Sequence, residues 1–240
     1  MDRQQSTQSM QTYKIRKIEE SVQKSCTQEV VKINLPGGQL SKVEVYEAIH
    51  AKYDAEIIGD DLFIRIDGGL KADIHFQLVY SFRTQNPSFH ASLNTICIVS
   101  GHQLRPDVGV WFQKPTYLQR KSPISSRCPP PNVWAEVFFN RSPDRSNAIN
   151  KIDLIHRDYP QIEFFGIALS YFATPFHAPP NQRPTNTTHA SIAPARPRAP
   201  YTMHWDVNHN PIYYEMDWDL HVTLRCGLIV DFNTVLDELA

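Results

Sequence analysis

Two acidic residues lie in apolar surroundings that would bury them. Glu136 is at the centre of Val133–Phe139, a run of aromatic, β-branched and small residues that is typical of an interior strand. Asp107 directly precedes a second apolar run at 108–112. A buried carboxylate loses hydration worth several kcal/mol unless a cation, a metal ion or hydrogen bonds replace it. Such positions are therefore better candidates for chemistry than surface carboxylates.

A lysine completes a set that suits metal-assisted phosphodiester hydrolysis. Lys151 lies downstream in a segment with helical spacing. The reaction needs an ion that lowers the pKa of the attacking water, and Mg²⁺ or Mn²⁺ needs only two or three carboxylates because it keeps several waters. We therefore expect Asp107 and Glu136 to be metal ligands. Lys151 would orient the nucleophile or stabilise the transition state as a point charge.

The composition indicates a folded protein with reduced thiols. Of 240 residues, 41% are hydrophobic and 20% are charged, which excludes wholesale disorder. The four cysteines are far apart and form no C-x-x-C pair, so neither a zinc framework nor a disulfide scaffold is indicated. The N-terminus lacks the apolar core of a signal peptide, and no long apolar run follows. We expect an intracellular protein of the cytoplasm or nucleus that is neither secreted nor bound to a membrane.

The charges are distributed unevenly along the chain. The formal net charge is only −1, but residues 113–157 carry eight Lys or Arg and three Asp or Glu. Residues 206–240 carry seven acids and a single basic residue, Arg225. The basic part contains Glu136 and Lys151, where a polyanion such as DNA would have to approach. A solvated charged surface is the alternative interpretation of the basic residues.

The order of elements predicts an α/β or α+β fold, with a mixed central β-sheet flanked by helices. We expect residues 1–27 to form a flexible N-terminal extension and residues 28–240 a single domain with a Pro-rich loop at 174–203. Periodicity and turn signals predict the following elements: strands at 29–35, 55–58, 62–66, 95–100, 108–112, 133–139, 162–172, 211–216 and 220–224, and helices at 41–53, 70–83, 146–157 and 232–239.

At the candidate site the chain resembles the putative restriction endonuclease family within the PD-(D/E)XK nuclease superfamily. The matching pieces, in order, are Pro106-Asp107-Val108, Glu136-Val137 on an apolar strand, Ser142-Pro143 in a polar turn, and a helix that bears Lys151. In that family the lysine has moved from the strand to the following helix, and here Phe138 occupies the strand position. The resemblance covers roughly residues 36–172.

The resemblance extends to the N-terminal part and implies a function. Glu56 begins the segment Glu56-Ile57-Ile58-Gly59 of a hairpin that precedes a helix carrying His75, and the family pattern makes Glu56 an accessory carboxylate. The resemblance implies a restriction-endonuclease-like fold and an Mg²⁺-dependent endonuclease that acts on DNA. A homodimer would suit an enzyme that cuts both strands.

Other interpretations stay open. The segment after Glu136 and the residues Asp158-Tyr159-Pro160 depart from the family pattern, so a catalytically degenerate nuclease fold that acts as a binding module is the main alternative. The segment His204-x-Asp206-x-x-His209 could bind zinc. Each site residue could also be structural, with Lys151 an ordinary exposed lysine. Serine-hydrolase, phosphate-loop and dinucleotide-binding motifs do not occur.

Overall fold

The computed structural model describes residues 15–25, 30–34, 43–66, 68–169, 190–191, 200–216 and 221–239. It is a mixed α+β structure with three sheets. Its helices, in chain order, are α1 (15–24), α2 (Val43–Lys52), α3 (Gly69–Gln85), α4 (Tyr117–Lys121), α5 (Pro123–Ser126), α6 (Asp144–Asp158) and α7 (Phe232–Asp237).

The strands form a small sheet, a large sheet and a C-terminal hairpin. The small sheet is antiparallel, in the order β1 (Val30–Asn34), β3 (Asp61–Arg65), β2 (Asp54–Ile58), β6 (His102–Leu104) and β5 (Cys97–Val99). The large sheet has the order β10 (Ala190–Ser191), β12 (Pro211–Glu215), β11 (Tyr201–Trp205), β9 (Glu163–Leu169), β8 (Val133–Phe139), β7 (Val108–Trp111) and β4 (His90–Leu93). The hairpin pairs β13 (His221–Thr223) with β14 (Ile229–Asp231).

The centre of the large sheet is a β8–α6–β9 unit, in which a helix connects two parallel strands. Alternate residues of β8 point to opposite faces of the sheet. Val133 and Val137 belong to the core that contains α3 and α7, whereas Trp134 and Phe138 pack with α6. Glu136 lies between Trp134 and Phe138 in this alternation, so its side chain is on the same face of the sheet and faces α6.

Most predicted elements are confirmed. The strands and helices that carry the candidate residues lie within a few residues of their predicted bounds, and the terminal helix α7 begins after Asp231, whose side chain accepts a hydrogen bond from the backbone N–H of Asn233. The strands β4, β6, β10, β11 and β14 were not predicted. The segment between β7 and β8, for which no element was predicted, contains two short helices, and Thr116 and Gln119 form a capping box at the first of them.

Several predicted segments fall partly outside the described residues. Within the predicted extension 1–27, helix α1 carries Ile18, which is buried in the core of the small sheet. Of the predicted loop 174–203, the structure describes only the two residues of β10 and residues 200–203, where β11 begins at Tyr201. Residues 41–42 of the predicted helix 41–53 and residues 170–172 of the predicted strand 162–172 also lie outside the described residues. Of the helices described, none combines the length and apolar character needed to cross a bilayer.

Candidate functional site

All four residues predicted for the site converge in one buried cluster. Glu56 comes from β2, Asp107 directly precedes β7, Glu136 lies on β8 and Lys151 on α6. Their exposed fractions are 0%, 0%, 2% and 0%. The small sheet thus brings its carboxylate against the two carboxylates of the large sheet, and α6 covers them with an ammonium group.

Lys151 links the carboxylates of the two sheets. On α6 it shares the buried face with Ala148, Ile152 and Ile155, at the i, i+3, i+4, i+7 spacing of one helix side. Its Nζ lies 2.8 Å from Oε1 of Glu136 and 2.8 Å from Oε1 of Glu56. The interpretation of Lys151 as an exposed helix lysine is therefore wrong.

Asp107 and Glu136 lie opposite each other because of the strand register. Val108 pairs with Ala135 in the antiparallel β7–β8 ladder, so Asp107 and Glu136 occupy the next position along it. The backbone N–H of Val137 donates to Oδ2 of Asp107 at 2.5 Å. These contacts place two carboxylates from neighbouring strands side by side, as the apolar runs predicted.

Arg65 is part of the cluster and was not predicted. It comes from β3, its side chain is 4% exposed, and its guanidinium contacts the carboxylate of Asp107. The same nitrogen lies 4.0 Å from Oε2 of Glu136. His75 of α3 approaches Asp107 from another side, with Nε2 3.5 Å from Oδ2. Arg65 therefore occupies the position between the two carboxylates that a metal ion would share.

The hydrogen bonds of Glu56 leave one of its oxygens available. The backbone N–H of Arg105 donates to Oε1 at 2.7 Å, and the carbonyl of Arg105 in turn accepts from Lys151 at 2.9 Å. Oε2 of Glu56 is buried and has no hydrogen-bond partner among the described residues. A buried oxygen of this kind costs stability unless something binds it.

The charges within the cluster shift its pKa values in opposite directions. Burial, together with the neighbouring carboxylates of Asp107 and Glu56, raises the pKa of Glu136 to about 8 against the opposing effects of Lys151 and Arg65. Burial also opposes ionisation of Asp107, but Arg65 and His75 hold its pKa well below the usual range. The pKa of Lys151 is raised because Glu136 and Glu56 outweigh its burial. The cluster therefore distinguishes one ionised carboxylate from one that retains a proton at neutral pH.

A pocket of about 700 Å³ reaches the cluster from the outside. Arg65 and His75 line it together with Phe76, Leu93 and Asn94. Asp107 is fully buried, and Arg65 and His75 both contact its carboxylate. Arg65 and His75 therefore separate the carboxylates from the pocket.

The donor set fits a divalent ion only in part. In the part of the chain that the structure describes, no three His, Cys, Asp or Glu side chains are placed to hold a metal ion. Two carboxylates and waters are nevertheless enough for Mg²⁺, and Asp107 and Glu136 are the pair that could provide them. The guanidinium of Arg65 would have to move for an ion to reach Asp107.

The residues of the alternative zinc motif do not converge. Nε2 of His204 lies 2.7 Å from Oε1 of Glu163. His209 is instead 3.1 Å from Asp153 and stacks on the ring of His156, with 3.6 Å between centroids. Asp206 accepts hydrogen bonds from backbone N–H groups of its own turn. The predicted set His204, Asp206 and His209 therefore makes three separate local contacts.

Comparison with solved structures identifies the fold. A putative nuclease belonging to DUF820 from Anabaena variabilis superposes on the chain with a TM-score of 0.51 over 78% of this chain and 91% of that one, at 11% identity. The fold is restriction-endonuclease-like. A scan against protein-family models finds no match, and neither does a search of curated proteins. The restriction-endonuclease-like fold therefore rests on structure rather than on sequence similarity.

Proposed function

We propose that the chain is a metal-dependent nuclease of the PD-(D/E)XK type that hydrolyses phosphodiester bonds in DNA. The observation that carries the proposal is the convergence of Glu56, Asp107, Glu136 and Lys151 from four elements of a restriction-endonuclease-like fold. Burying three acids together is unfavourable for folding. A chemical role explains why such a cluster is kept.

The proposed roles follow from the contacts. Asp107 and Glu136 would hold Mg²⁺ or Mn²⁺, which supplies a bound water of lowered pKa and neutralises charge on the phosphoryl oxygens. Lys151 would fix the orientation of Glu136 and Glu56 and place a positive charge beside the reacting phosphate. Glu56 would act as the accessory carboxylate. Its Oε2, unpartnered among the described groups, is the atom that could accept a proton from the attacking water.

The role of Arg65 follows from its position between the pocket and Asp107. The guanidinium and a divalent ion would compete for the same carboxylate, so the ion-bound form requires Arg65 to withdraw from Asp107. Arg65 also lines the pocket, which gives its side chain a direction in which to move. There it could meet a phosphate of the substrate, for which a guanidinium is well suited.

A cleavage assay tests the proposal. The purified protein is incubated with plasmid DNA and Mg²⁺ or Mn²⁺, alongside Glu136→Gln and Glu163→Gln. Glu163 is the matched control, because it is buried on the neighbouring strand β9 and pairs with His204 outside the cluster. Glu136→Gln should lose more activity than the ~100-fold that removal of an outer-shell partner costs, while Glu163→Gln keeps it. Cleavage unchanged by Glu136→Gln would refute the assignment.

A second function, nucleic-acid binding without hydrolysis, is favoured by one observation. Arg65 already neutralises Asp107, and the cluster is buried. A protein with this function would bind an oligonucleotide but neither cut it nor bind Mn²⁺ in a calorimetric titration. Heat of Mn²⁺ binding that disappears in Glu136→Gln would instead favour the enzyme. The homodimer and the intracellular location stay predictions from the sequence.

A further inference from the structure

A basic surface lies beside the edge of the large sheet, outside the carboxylate cluster. Between Asp107 and Glu136 the chain contains no acidic residue and four basic ones, Lys114, Arg120, Lys121 and Arg127. Lys114 lies between β7 and α4, and Arg120 lies on α4. The capping box at the start of α4 gives this segment a defined shape rather than that of an irregular loop.

Cations from α3 and from the segment that contains α4 flank the edge strand β4, which carries His90. His90 pairs with Trp111 across the β4–β7 ladder, which places β4 beside the start of the segment that carries Lys114 and Arg120. Burial lowers the pKa of His90, and the positive charges of Arg120, Lys114 and Arg83 lower it further. Arg83, at the end of α3, donates from Nε and Nη2 to the carbonyl of Ala91 at 2.9 and 2.6 Å. Arg120 donates to a backbone carbonyl at 3.2 Å. The guanidinium groups of Arg83 and Arg120 are thus held in place by backbone carbonyls.

The three cations lack acidic partners within the described part of the chain. Arg83, Lys114 and Arg120 are exposed, and among described residues no carboxylate forms an ion pair with them. Like charges at close range repel, and an anionic ligand would relieve this repulsion. We call Arg83, His90, Lys114 and Arg120 the basic surface.

Exposed aromatic rings lie next to the basic surface in the sequence. Phe112 follows the last residue of β7, is 43% exposed and stacks on Phe89 with 4.6 Å between ring centroids. Tyr117, at the first position of α4, is 66% exposed. Aromatic rings that alternate with cations suit a single strand of nucleic acid, because bases stack on the rings while phosphates pair with the cations. An acidic peptide would need only the cations.

We propose that the basic surface, with Phe112 and Tyr117, binds a single-stranded segment of nucleic acid that continues from the carboxylate cluster. The inference rests on the proposed function, because it assigns the neighbouring part of the same substrate. Asp107 and Phe112 are five residues apart on an extended strand, about 17 Å. The basic surface therefore lies within reach of a strand that contacts the cluster.

Fluorescence anisotropy in EDTA measures this binding without cleavage. The probe is a labelled single-stranded DNA of ~15 nucleotides, near the upper site size of such surfaces. The test variant carries Lys114→Glu and Arg120→Glu. The matched control carries Lys32→Glu and Arg157→Glu, which change the net charge equally at exposed positions of β1 and α6. A further variant, Tyr117→Ala, removes one ring.

The proposal gives four expected results. The test variant should bind at least about tenfold more weakly, and the slope of log affinity against log salt should fall by ~1.4 because two phosphate contacts are lost. The control should stay within about twofold of wild type. Tyr117→Ala should weaken binding by about fivefold or more, the effect of losing one stacked base. A duplex of the same length should bind more weakly than the single strand.

Contrary results would overturn the proposal in distinguishable ways. Equal weakening in both double variants would mean that only net charge matters, and no weakening would mean that the surface is not used. Tight duplex binding would exclude the single strand, and equal competition by polyglutamate would exclude nucleic acid as the specific partner. Binding that depends on the basic surface, in a protein that cuts no DNA, would leave this inference standing and remove the proposed hydrolysis.

Discussion

The guanidinium of Arg65 lies against the carboxylate of Asp107, and both groups are buried. The two proposed functions, hydrolysis and binding without hydrolysis, differ in whether this contact can be broken. As a permanent ion pair it would leave Asp107 unable to bind an ion, whereas as a displaceable one it would hold the site closed until an ion or a substrate arrives. Removing one partner of a buried pair leaves an uncompensated charge, at a cost of about 3–5 kcal/mol.

Replacing Arg65 should therefore both destabilise the protein and improve metal binding. Arg65→Ala is expected to lower the free energy of unfolding by about 3–5 kcal/mol in EDTA, because Asp107 loses its cation. Mn²⁺ should restore a large part of this loss, since an ion that binds only the folded state stabilises it by mass action. Thermal unfolding with and without Mn²⁺ measures both effects.

A second buried pair provides the control for Arg65. Lys71 lies 2.6 Å from Asp144 and is 1% exposed, like Arg65 in burial but outside the carboxylate cluster. Lys71→Met should destabilise the protein by a similar amount and gain nothing from Mn²⁺. If Mn²⁺ stabilises neither variant or stabilises both equally, Arg65 does not guard a metal site.

Lys151 and Glu56 should behave as a coupled pair in a double-mutant cycle. Lys151→Met leaves the carboxylates of Glu56 and Glu136 without their shared cation, so it should cost about 3–5 kcal/mol. Adding Glu56→Gln removes the charge that this leaves stranded on Glu56, so the double variant should be about 1–3 kcal/mol more stable than the sum of the single effects predicts. Urea unfolding of the four proteins measures the coupling. Simple additivity would contradict the 2.8 Å contact between Lys151 and Glu56.

Glu136 should make stability depend on pH in the metal-free protein. Burial raises its pKa from 4.5 to about 8, so between these values the folded state holds a proton that the unfolded chain releases. The contribution is complete below about pH 4 and is lost as the pH rises through about 8, with a limiting slope of ~1.4 kcal/mol per pH unit. Glu136→Gln should remove this part of the slope.

Urea unfolding in EDTA at pH values from about 5 to about 8 measures the effect of Glu136. Glu163→Gln serves as the comparison, since it replaces a buried acid of the neighbouring strand. As the pH rises, the free energy of unfolding should fall more steeply, or rise less steeply, in wild type and in Glu163→Gln than in Glu136→Gln. Identical slopes in all three proteins would mean that Glu136 is ionised in the folded protein at neutral pH.

The sequence identified the acids of the cluster because their neighbours indicate burial. Glu136 interrupts an apolar strand, and Lys151 lies between residues that form one apolar helix side. Arg65 also interrupts an apolar run, at 62–66. Side chains of a strand alternate between its two faces, however, so an exposed position for Arg65, on the face opposite Leu62 and Ile64, was equally compatible with the sequence. Only the packing of the small sheet against the large one decides between the two.

Two of the missed strands, β4 and β6, depend on their partners for stability. β4 and β6 have four and three residues and begin with His90 and His102, so their own sequences carry little strand propensity. β4 is defined by its pairing with β7, and β6 by its pairing with β5 and β2. Long-range pairing of this kind leaves no local pattern to detect. The predicted metal and its ligands stay predictions for a related reason, because they depend on whether Arg65 moves.

Gly109 should be intolerant of any side chain, and this tests how rigidly Asp107 is held. A Cβ at Gly109 would lie 2.6 Å from Cη2 of Trp111 and 3.0 Å from Cγ of Pro106. The ring of Trp111 cannot easily move away from the new Cβ, because it is buried and its Nε1 donates to the carbonyl of Pro129 at 3.0 Å. Gly109→Ala should therefore lower the free energy of unfolding by about 1–3 kcal/mol, the usual cost of overpacking.

The cause of the Gly109 effect can be separated from a general loss of strand stability. Trp111→Phe removes the ring atoms that the new Cβ would meet, so adding it to Gly109→Ala should recover part of the loss relative to the sum of the two single changes. Gly166→Ala is a milder comparison on β9, because its nearest contact would be 3.2 Å from the ring of Phe138. Urea unfolding of these variants gives the coupling. If Gly109→Ala costs no more than Gly166→Ala, the tight packing beside Asp107 does not constrain the carboxylate.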